Sequence, residues 1–123
     1  MAVPSRLNFP LHPEIRERLR RRSKVLFGNL DRLEVAVAIA ASPDGAVNAT
    51  DLSAETGLLN VRVRAQLIAL EQVGLLVAMP RAGELKRWYL RLDSPFWQTC
   101  LDLTEEWSRS DDDLASEIGP GNL

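Results

Sequence analysis

The sequence predicts a mainly α-helical fold that carries one small β-hairpin. Two short helical segments, residues 51–56 and 60–73, follow each other closely, and Gly57 and Gly74 supply the left-handed residue that ends a helix. Two β-prone apolar runs then flank a short loop at residues 81–84, as in a hairpin. Longer helical patterns precede and follow this region. The order of helix, tight turn, helix and hairpin is the layout of a winged helix-turn-helix, here with added N- and C-terminal helices.

The chain begins with an expected arm and a basic helix. Residues 1–12 contain two prolines and no helical period, which predicts an extended arm. Pro13 suits the first turn of a helix that runs to about Phe27. Its apolar positions, Ile15 and Leu19 among them, stand between arginines. We therefore expect this helix to have a narrow apolar stripe and a wide basic face.

The second predicted helix is the expected centre of the core. Gly28 breaks the first helix, and Asp31 is positioned to cap the second. From Leu33 to Ala41 this helix is apolar on most sides, which is typical of a buried element. A turn follows, and Val47 is expected to form a short strand that pairs with the hairpin.

The two short helices carry start signals of their own. Either Thr50 or Asn48 can cap the first, whose acidic Asp51 favours the positive end of the helix dipole. Asn60 is placed to cap the second, which would leave backbone N–H groups directed at a phosphate. Both helices are thus expected to begin beside a hydrogen-bonding side chain.

The last part of the chain predicts a helix and then an acidic tail. Ser94 and Pro95 form a cap followed by a first-turn proline, and large apolar residues recur after them. Beyond Ser108, three consecutive aspartates and a Gly-Pro-Gly-Asn ending favour disorder over residues 109–123. The sequence therefore predicts one domain, residues 13–108, in which terminal helices flank the winged helix-turn-helix.

The segment 60–73 is expected to lie in the major groove of DNA. Apolar residues four and three positions apart give it one side that packs on the core. At about 100° per residue, Arg62 and Arg64 fall on opposite flanks of the remaining face, with Gln66 nearer the core. Arginine can pair with guanine and glutamine with adenine, while the methyl of Ala65 can touch a thymine methyl.

The hairpin, residues 75–92, is the expected wing. Its cationic side chains are placed to reach the DNA backbone or the adjacent minor groove. Alternation along the second strand predicts that three apolar residues face the core, namely Trp88, Leu90 and Leu92. Together the helix and the wing supply eight predicted DNA contacts: Asn60, Arg62, Arg64, Ala65, Gln66, Arg81, Lys86 and Arg87.

Two segments resemble ArsR/MarR-type winged-helix regulators. Residues 51–58 read Asp-Leu-Ser-Ala-Glu-Thr-Gly-Leu, and residues 63–76 read Val-Arg-Ala-Gln-Leu-Ile-Ala-Leu-Glu-Gln-Val-Gly-Leu-Leu. The likeness covers roughly residues 30–93, and residues 25–35 are also similar to the opening of actinobacterial members. The resemblance implies that the first segment is a supporting helix and the second the recognition helix. The groove-facing positions it implies are Arg62, Arg64, Ala65 and Gln66.

Charge is distributed unevenly along the chain. The net charge is -2, yet residues 1–27 carry seven basic and two acidic side chains, and residues 94–123 carry seven acidic and one basic. Net charge therefore does not exclude a polyanionic partner. The basic first helix is expected either to grip phosphates or to pair with the acidic C-terminal helix.

The terminal helices are expected to form a homodimer interface. Large aromatic side chains are enriched at such interfaces, although plain core packing within one chain is the alternative. The predicted interface residues are Ile15, Leu19, Phe96, Trp97, Leu101 and Trp107.

Several function classes lack the residues they need. Neither a Gly-rich phosphate loop nor a Ser/His/Asp set is present, which predicts a non-enzyme without a cofactor. Metal-sensing ArsR members use cysteine pairs or His and acidic clusters, so one Cys and one His predict no transition-metal site. Cys100 cannot close an intrachain disulfide, and no apolar run approaches the ~20 residues of a membrane span. We therefore expect a cytoplasmic protein with no membrane partner.

These patterns predict a homodimeric, sequence-specific transcription repressor whose partner is double-stranded DNA. The main alternative keeps the fold but binds a protein, such as a transcription component, because Val61, Ala65 and Ile68 make the middle of the free helix face apolar. A third possibility is a small-molecule pocket between the Pro13 helix and the Trp97 helix, which offer aromatic walls.

Overall fold

The computed structural model describes residues 9–81, 83 and 85–117, with side chains as far as residue 108. Within these residues the chain forms five helices and a small antiparallel sheet of three strands, in the order β1-β3-β2. The prediction of a mainly helical winged helix-turn-helix with added terminal helices is confirmed. The elements are α1 Pro13–Phe27, α2 Arg32–Ala41, β1 Ala46–Asn48, α3 Ala49–Thr56, α4 Asn60–Gln72, β2 Leu76–Ala78, β3 Trp88–Arg91 and α5 Pro95–Glu117.

Helix α2 is the centre of the core, as predicted. Every residue from Leu33 to Ala40 is buried. The helix contacts α1, α3, α4 and α5, so it holds the terminal helices and the helix-turn-helix together. Burial of this much aliphatic surface is the main stabilising term of the fold, since each fully buried Val, Leu or Ile contributes roughly 1.5–3 kcal/mol.

The helix starts differ in part from the prediction. Of the two candidate caps of α3, Asn48 is the one used, and its Oδ1 accepts the Asp51 N–H at 2.9 Å. Asp31 precedes α2 without a side-chain capping bond, so that part of the prediction is wrong. Asn60 is the first residue of α4 rather than its cap, and Leu59 occupies the cap position. Gly57, with φ 78°, ends α3 as predicted.

The hairpin has shorter strands and a longer loop than the sequence predicts. Strand β2 ends at Ala78 and β3 begins at Trp88, so residues 79–87 connect the two strands. The Met79 N–H still donates to the Trp88 carbonyl at 2.9 Å. Pro80 follows directly, and proline is typical of the ends of strands rather than of their interior.

Strand β3 turns the opposite face to the core from the one predicted. Tyr89 is buried, whereas Trp88 is half-buried and Leu90 and Leu92 are exposed. The prediction that the last three face the core is therefore wrong. Side chains alternate along a strand, so Arg91 lies on the same inner face as Tyr89.

Arg91 faces inward because it binds the end of α2. Its Nη1 donates to the carbonyl oxygens of Ile39 (2.9 Å), Ala40 (2.9 Å) and Ser42 (3.0 Å). Carbonyls at a helix C-terminus lack partners within the helix and attract positive charge. The contact therefore fixes the sheet against the central helix.

The C-terminal helix is longer than the sequence predicts. Helix α5 continues to Glu117, whereas the sequence predicts disorder over residues 109–123. Once a helix is nucleated, each further residue is added at little cost, which favours the extension. Of the predicted arm, residues 1–8 lie outside the described residues, as do residues 118–123 of the predicted tail. Leu11, within the arm, is buried in the core.

Candidate nucleic-acid interface

Helix α4 has the two faces that the sequence predicts. Val63, Leu67 and Leu70 are buried and pack on the core. On its other side the helix exposes Val61, Arg64, Ala65 and Ile68, with Val61 67% exposed. The exposed face thus joins an apolar middle to a cationic flank.

The exposed face of α4 lines a cleft that opens towards the wing. The cleft has a volume of about 670 Å³. Asn60, Arg64 and Ile68 form its helix side, and the wing loop supplies Arg81, Leu85, Lys86 and Arg87. Four cationic side chains therefore surround one concave surface, where positive potential is focused. Thr50 and Leu85 also line this cleft, but the sequence patterns did not predict them as DNA contacts.

Arg64 is the best-placed cation of the helix. It is exposed, and its Nη2 donates to Asn60 Oδ1 at 3.2 Å, one helical turn earlier. Within residues 9–81, 83 and 85–108, no carboxylate pairs with this guanidinium. Among the described side chains, its hydrogen-bond partner is therefore the neutral Asn60.

Lys86 is held by a weak surface ion pair. Its Nζ lies 3.2 Å from Asp51 Oδ1, and both side chains are about half exposed. The pKa of Asp51 is lowered by the Asn48 side-chain hydrogen bond and by Lys86. Exposed pairs of this kind contribute at most about 1 kcal/mol, so Lys86 can exchange Asp51 for a phosphate at little cost.

Arg62, the second predicted arginine, is bound inside the molecule. Its Nε donates to Asp31 Oδ2 at 2.9 Å, and its Nη2 donates to Asp31 Oδ1. Arg20 of α1 donates to the same carboxylate at 2.7 Å. Asp31 is only 8% exposed. Instead of capping α2, Asp31 joins α1 to the first turn of α4.

Gln66 is also turned away from the cleft. It is 2% exposed, and its Oε1 accepts a hydrogen bond from Arg32 Nε at 3.0 Å. A buried glutamine that already has a partner cannot pair with an adenine edge in this conformation. The sequence predicted Gln66 as a DNA contact on the side of the helix nearer the core. In the structure its side chain is fully buried.

The charge network at Asp31 has a pH-dependent effect on stability. Burial raises the pKa of Asp31, but the hydrogen bonds and charges of Arg62 and Arg20 outweigh it and leave the pKa below its ordinary value. A lowered pKa means that the carboxylate stabilises the folded state at neutral pH. This contribution is lost as pH falls through the folded-state pKa.

We expect Asp31→Asn to lower the free energy of unfolding by about 1–3 kcal/mol at pH 7, because two part-buried guanidinium groups lose their anion. The difference between the two proteins should stay constant from pH 8 to pH 5 and shrink below about pH 4. Urea unfolding across this pH range measures it. A difference that grows on acidification would contradict the assignment.

The predicted dimer-interface residues divide into two groups. Leu19, Trp97 and Leu101 are buried in the core of the single chain. Ile15, Phe96 and Trp107 are partly buried at its edge. The burial of the first group agrees with the alternative of core packing within one chain. A stripe of leucines and aromatic residues can pack in a core or at a dimer interface, so the sequence pattern does not distinguish the two. Trp97 also donates from Nε1 to the Leu92 carbonyl at 2.8 Å, which ties α5 to the end of the wing.

Helices α1 and α5 contact each other where the sequence suggested a small-molecule pocket. The rings of Phe27 and Phe96 meet edge to face with centroids 6.5 Å apart. The Arg22 guanidinium lies 5.0 Å from the centroid of the Trp107 ring. The aromatic side chains that would form the pocket walls therefore pack together here.

Cys100 is buried in α5, and burial raises the pKa of its thiol to about 12. Since the thiolate is the reactive form, on the order of one thiol in ten thousand is ionised at pH 8. We expect iodoacetamide to label the native protein at least about a hundredfold more slowly than the urea-unfolded protein. Mass spectrometry measures both rates. Equal rates in the two states would show that the thiol is accessible and reactive.

Metal-binding clusters and membrane-spanning helices are both absent from the described part of the chain. No group of three His, Cys, Asp or Glu side chains there is arranged to hold a metal ion. In the same residues, no helix has both the length and the apolar character needed to cross a bilayer.

The fold and the cleft define a winged helix-turn-helix protein with a basic surface between α4 and the wing. Three solved structures share this fold. A transcription regulator of the Staphylococcus aureus multidrug efflux pump MepA, named MepR, matches with a TM-score of 0.59 and 12% identity, over 88% of this chain and 78% of that one. AbsC, a MarR-family transcriptional regulator from Streptomyces coelicolor, matches with a TM-score of 0.55 and 12% identity, over 87% and 81%.

The third structure is another Streptomyces coelicolor MarR-family regulator, solved in complex with DNA. It matches with a TM-score of 0.51 and 14% identity, over 88% of this chain and 78% of that one. At such low identity the likeness establishes the fold. No protein-family model matches the chain, and a comparison with curated protein sequences finds no match.

Proposed function

We propose that this protein is a MarR-like, sequence-specific DNA-binding transcription regulator that acts as a homodimeric repressor in the cytoplasm, and that it is not an enzyme. The observation that carries the proposal is the basic cleft between α4 and the wing. It is supported by the fold shared with three transcription regulators, one of them solved with DNA. The likeness to ArsR proteins and to actinobacterial members stays a prediction of the sequence.

In the proposed complex, α4 lies in the major groove and the wing contacts the backbone or the adjacent minor groove. Arg64 is the base-reading residue, because its exposed guanidinium can donate two hydrogen bonds to guanine O6 and N7. Asn60 orients it through their hydrogen bond. Ala65, with the exposed apolar groups beside it, meets thymine methyl groups.

The cations of the wing supply affinity rather than sequence reading. Arg81, Lys86 and Arg87 are exposed on the loop that borders the cleft. Contacts of such side chains with phosphate release counterions, so binding should weaken steeply as salt rises. In this proposal Arg62 and Gln66 do not contact DNA, because Arg62 is bound to Asp31 and the buried Gln66 to Arg32.

A dimer is proposed from the terminal helices. The C-terminal end of α1 and the loop after it expose Val25 (85%), Leu26 and Leu30 to solvent. The half-buried rings of Phe96 and Trp107 belong to the neighbouring helix. Burying this apolar edge against a second copy would remove it from water. Two-fold symmetry then predicts a near-palindromic site with half-sites about one helical turn apart, and occupancy of such a site in a promoter blocks transcription.

Selection of bound fragments from a genomic library at ~150 mM salt tests the function, since sequence-independent binding is weak at that concentration. The proposal predicts one enriched, near-palindromic motif. Absence of any motif, together with a stoichiometric protein that co-purifies with the chain, would contradict it and favour the protein-binding alternative. A variant with Arg64, Arg81 and Arg87 replaced by alanine serves as the control and should enrich nothing.

A further inference from the structure

The two arginines in the first half of α4 stand in opposite situations. Arg64 projects into the cleft with a single neutral partner in the described residues. Arg62, two positions earlier, gives two hydrogen bonds to Asp31. Its side chain is still 40% exposed, so it lies at the surface although it is bound. Among the described residues, one arginine of α4 thus has a neutral partner and the other is held by a carboxylate.

Three structural details make the restraint on Arg62 strong. Asp31 is 8% exposed, and the Arg62 contact with it is bidentate, the geometry in which a guanidinium binds a carboxylate most firmly. Arg20 of α1 also binds Asp31 and thereby fixes the position of the carboxylate. Withdrawing Arg62 would leave a buried carboxylate with one fewer partner, which is costly.

The position of Arg62 is one from which a released side chain can reach DNA. It lies in the first turn of α4, and the N-terminal residues of a recognition helix are those that meet the duplex. A phosphate would compete with Asp31 for the same N–H groups, since both anions accept bidentate hydrogen bonds from arginine. Asp31 therefore competes with the phosphates of DNA for the Arg62 guanidinium.

We infer that Asp31 is a positioning residue that withholds Arg62 from DNA, so that Arg64 is the arginine of α4 that contacts the duplex. This inference rests on the proposed function. Asp31 accomplishes this without touching DNA, by holding Arg62 against α1 through Arg20. Removal of the Asp31 charge would release Arg62, whose side chain already lies at the surface beside the first turn of α4, as an additional cation for the DNA backbone.

A double-mutant cycle on DNA binding tests the inference. The variants are Asp31→Asn, Arg62→Gln and their combination, measured by fluorescence anisotropy on the selected duplex and on a scrambled duplex over a range of salt. In the wild-type background, Arg62→Gln should change affinity less than about twofold, whereas Arg64→Gln should weaken it about tenfold on the selected duplex. In the Asp31→Asn background, Arg62→Gln should cost about three- to fivefold on either duplex.

The salt dependence of DNA affinity distinguishes this role of Asp31 from a purely structural one, which would leave the number of phosphate contacts unchanged. Asp31→Asn should steepen the slope of log affinity against log salt by about 0.9, one phosphate contact, and adding Arg62→Gln should restore it. Asp102→Asn is the matched control, because it removes the same charge from an exposed site on α5 whose described partner is Gln98 rather than an arginine. In the same cycle, Asp102→Asn should show no coupling energy with Arg62→Gln.

The outcomes separate the two proposals. Wild-type protein that binds no duplex overturns the proposed function and this inference with it. Wild-type protein that binds the selected duplex, but loses as much affinity on Arg62→Gln as on Arg64→Gln, overturns this inference alone. If Asp31→Asn fails to fold, that comparison of Arg62→Gln with Arg64→Gln still decides, since both variants keep Asp31.

Discussion

Replacing Arg64, Arg81 and Arg87 together by alanine is expected to lower affinity for the selected duplex by about a hundredfold or more at ~150 mM salt. Arg64 accounts for a base contact worth ~1–3 kcal/mol, and each wing arginine for a phosphate contact. The slope of log affinity against log salt should fall by about 0.9 for each phosphate that the variant no longer binds. Fluorescence anisotropy titrations at several salt concentrations measure both quantities.

The matched control for this loss is a basic residue outside the cleft. Arg21 is exposed on α1 and does not line the cleft, so Arg21→Ala removes a charge of the same sign from another surface. We expect it to change affinity less than about twofold, because charges beyond a Debye length of roughly 8–10 Å are screened. If Arg21→Ala weakened binding as much as Arg64→Ala, DNA would lie along α1 and the cleft assignment would be wrong.

Arg91→Ala is expected to lower the free energy of unfolding by about 3 kcal/mol, since hydrogen bonds from a charged donor are worth roughly 1.5–3 kcal/mol each and three carbonyls at and just after the end of α2 lose a part-buried partner. Small domains are stable by only about 5–15 kcal/mol, so this is a large share. Urea denaturation followed by circular dichroism measures it.

Two variants show whether the Arg91 effect comes from its hydrogen bonds. Arg91→Lys keeps the charge but not the planar fork of donors, and we expect it to recover about half of the loss. Lys86→Ala removes an exposed cation with one weak ion pair and should cost less than about 1 kcal/mol. Our interpretation of Arg91 fails if its replacement by alanine costs no more than Lys86→Ala.

The parts of the fold that the sequence predicted correctly depend on local signals. Pro13 at the start of α1 and Gly57 at the end of α3 act within a few residues of their own position. The apolar period of α4 likewise separates its buried side from its exposed side without reference to the rest of the chain. The start of α1, the end of α3 and the helix-turn-helix layout were therefore predictable.

The parts that the sequence predicted wrongly depend on distant partners. An aspartate before a helix favours a cap, but Asp31 binds Arg20 and Arg62, which lie 11 and 31 residues away along the chain. Both faces of β3 carry apolar residues, so alternation alone does not decide which face is buried. The inner face is the one that carries Arg91, which binds carbonyl oxygens in and after α2, about fifty residues earlier in the chain.

The candidate site was predictable as a region but not residue by residue. The wing cations and Arg64 lie in the cleft because loop tips and helix flanks are exposed in any such fold. Arg62 and Gln66 carry equally suitable side chains for DNA, yet one is restrained by Asp31 and the other is buried. Packing against other elements determines which arginine is bound to a carboxylate, so the sequence of α4 alone could not predict it.

Amide hydrogen exchange with and without the selected duplex tests most directly that DNA lies between α4 and the wing. Bound DNA is predicted to slow exchange in Asn60–Gln72 and in residues 79–91, and to leave the middle of α1 unchanged. Slowed exchange confined to α1 or α5, with α4 and the wing unaffected, would contradict the account.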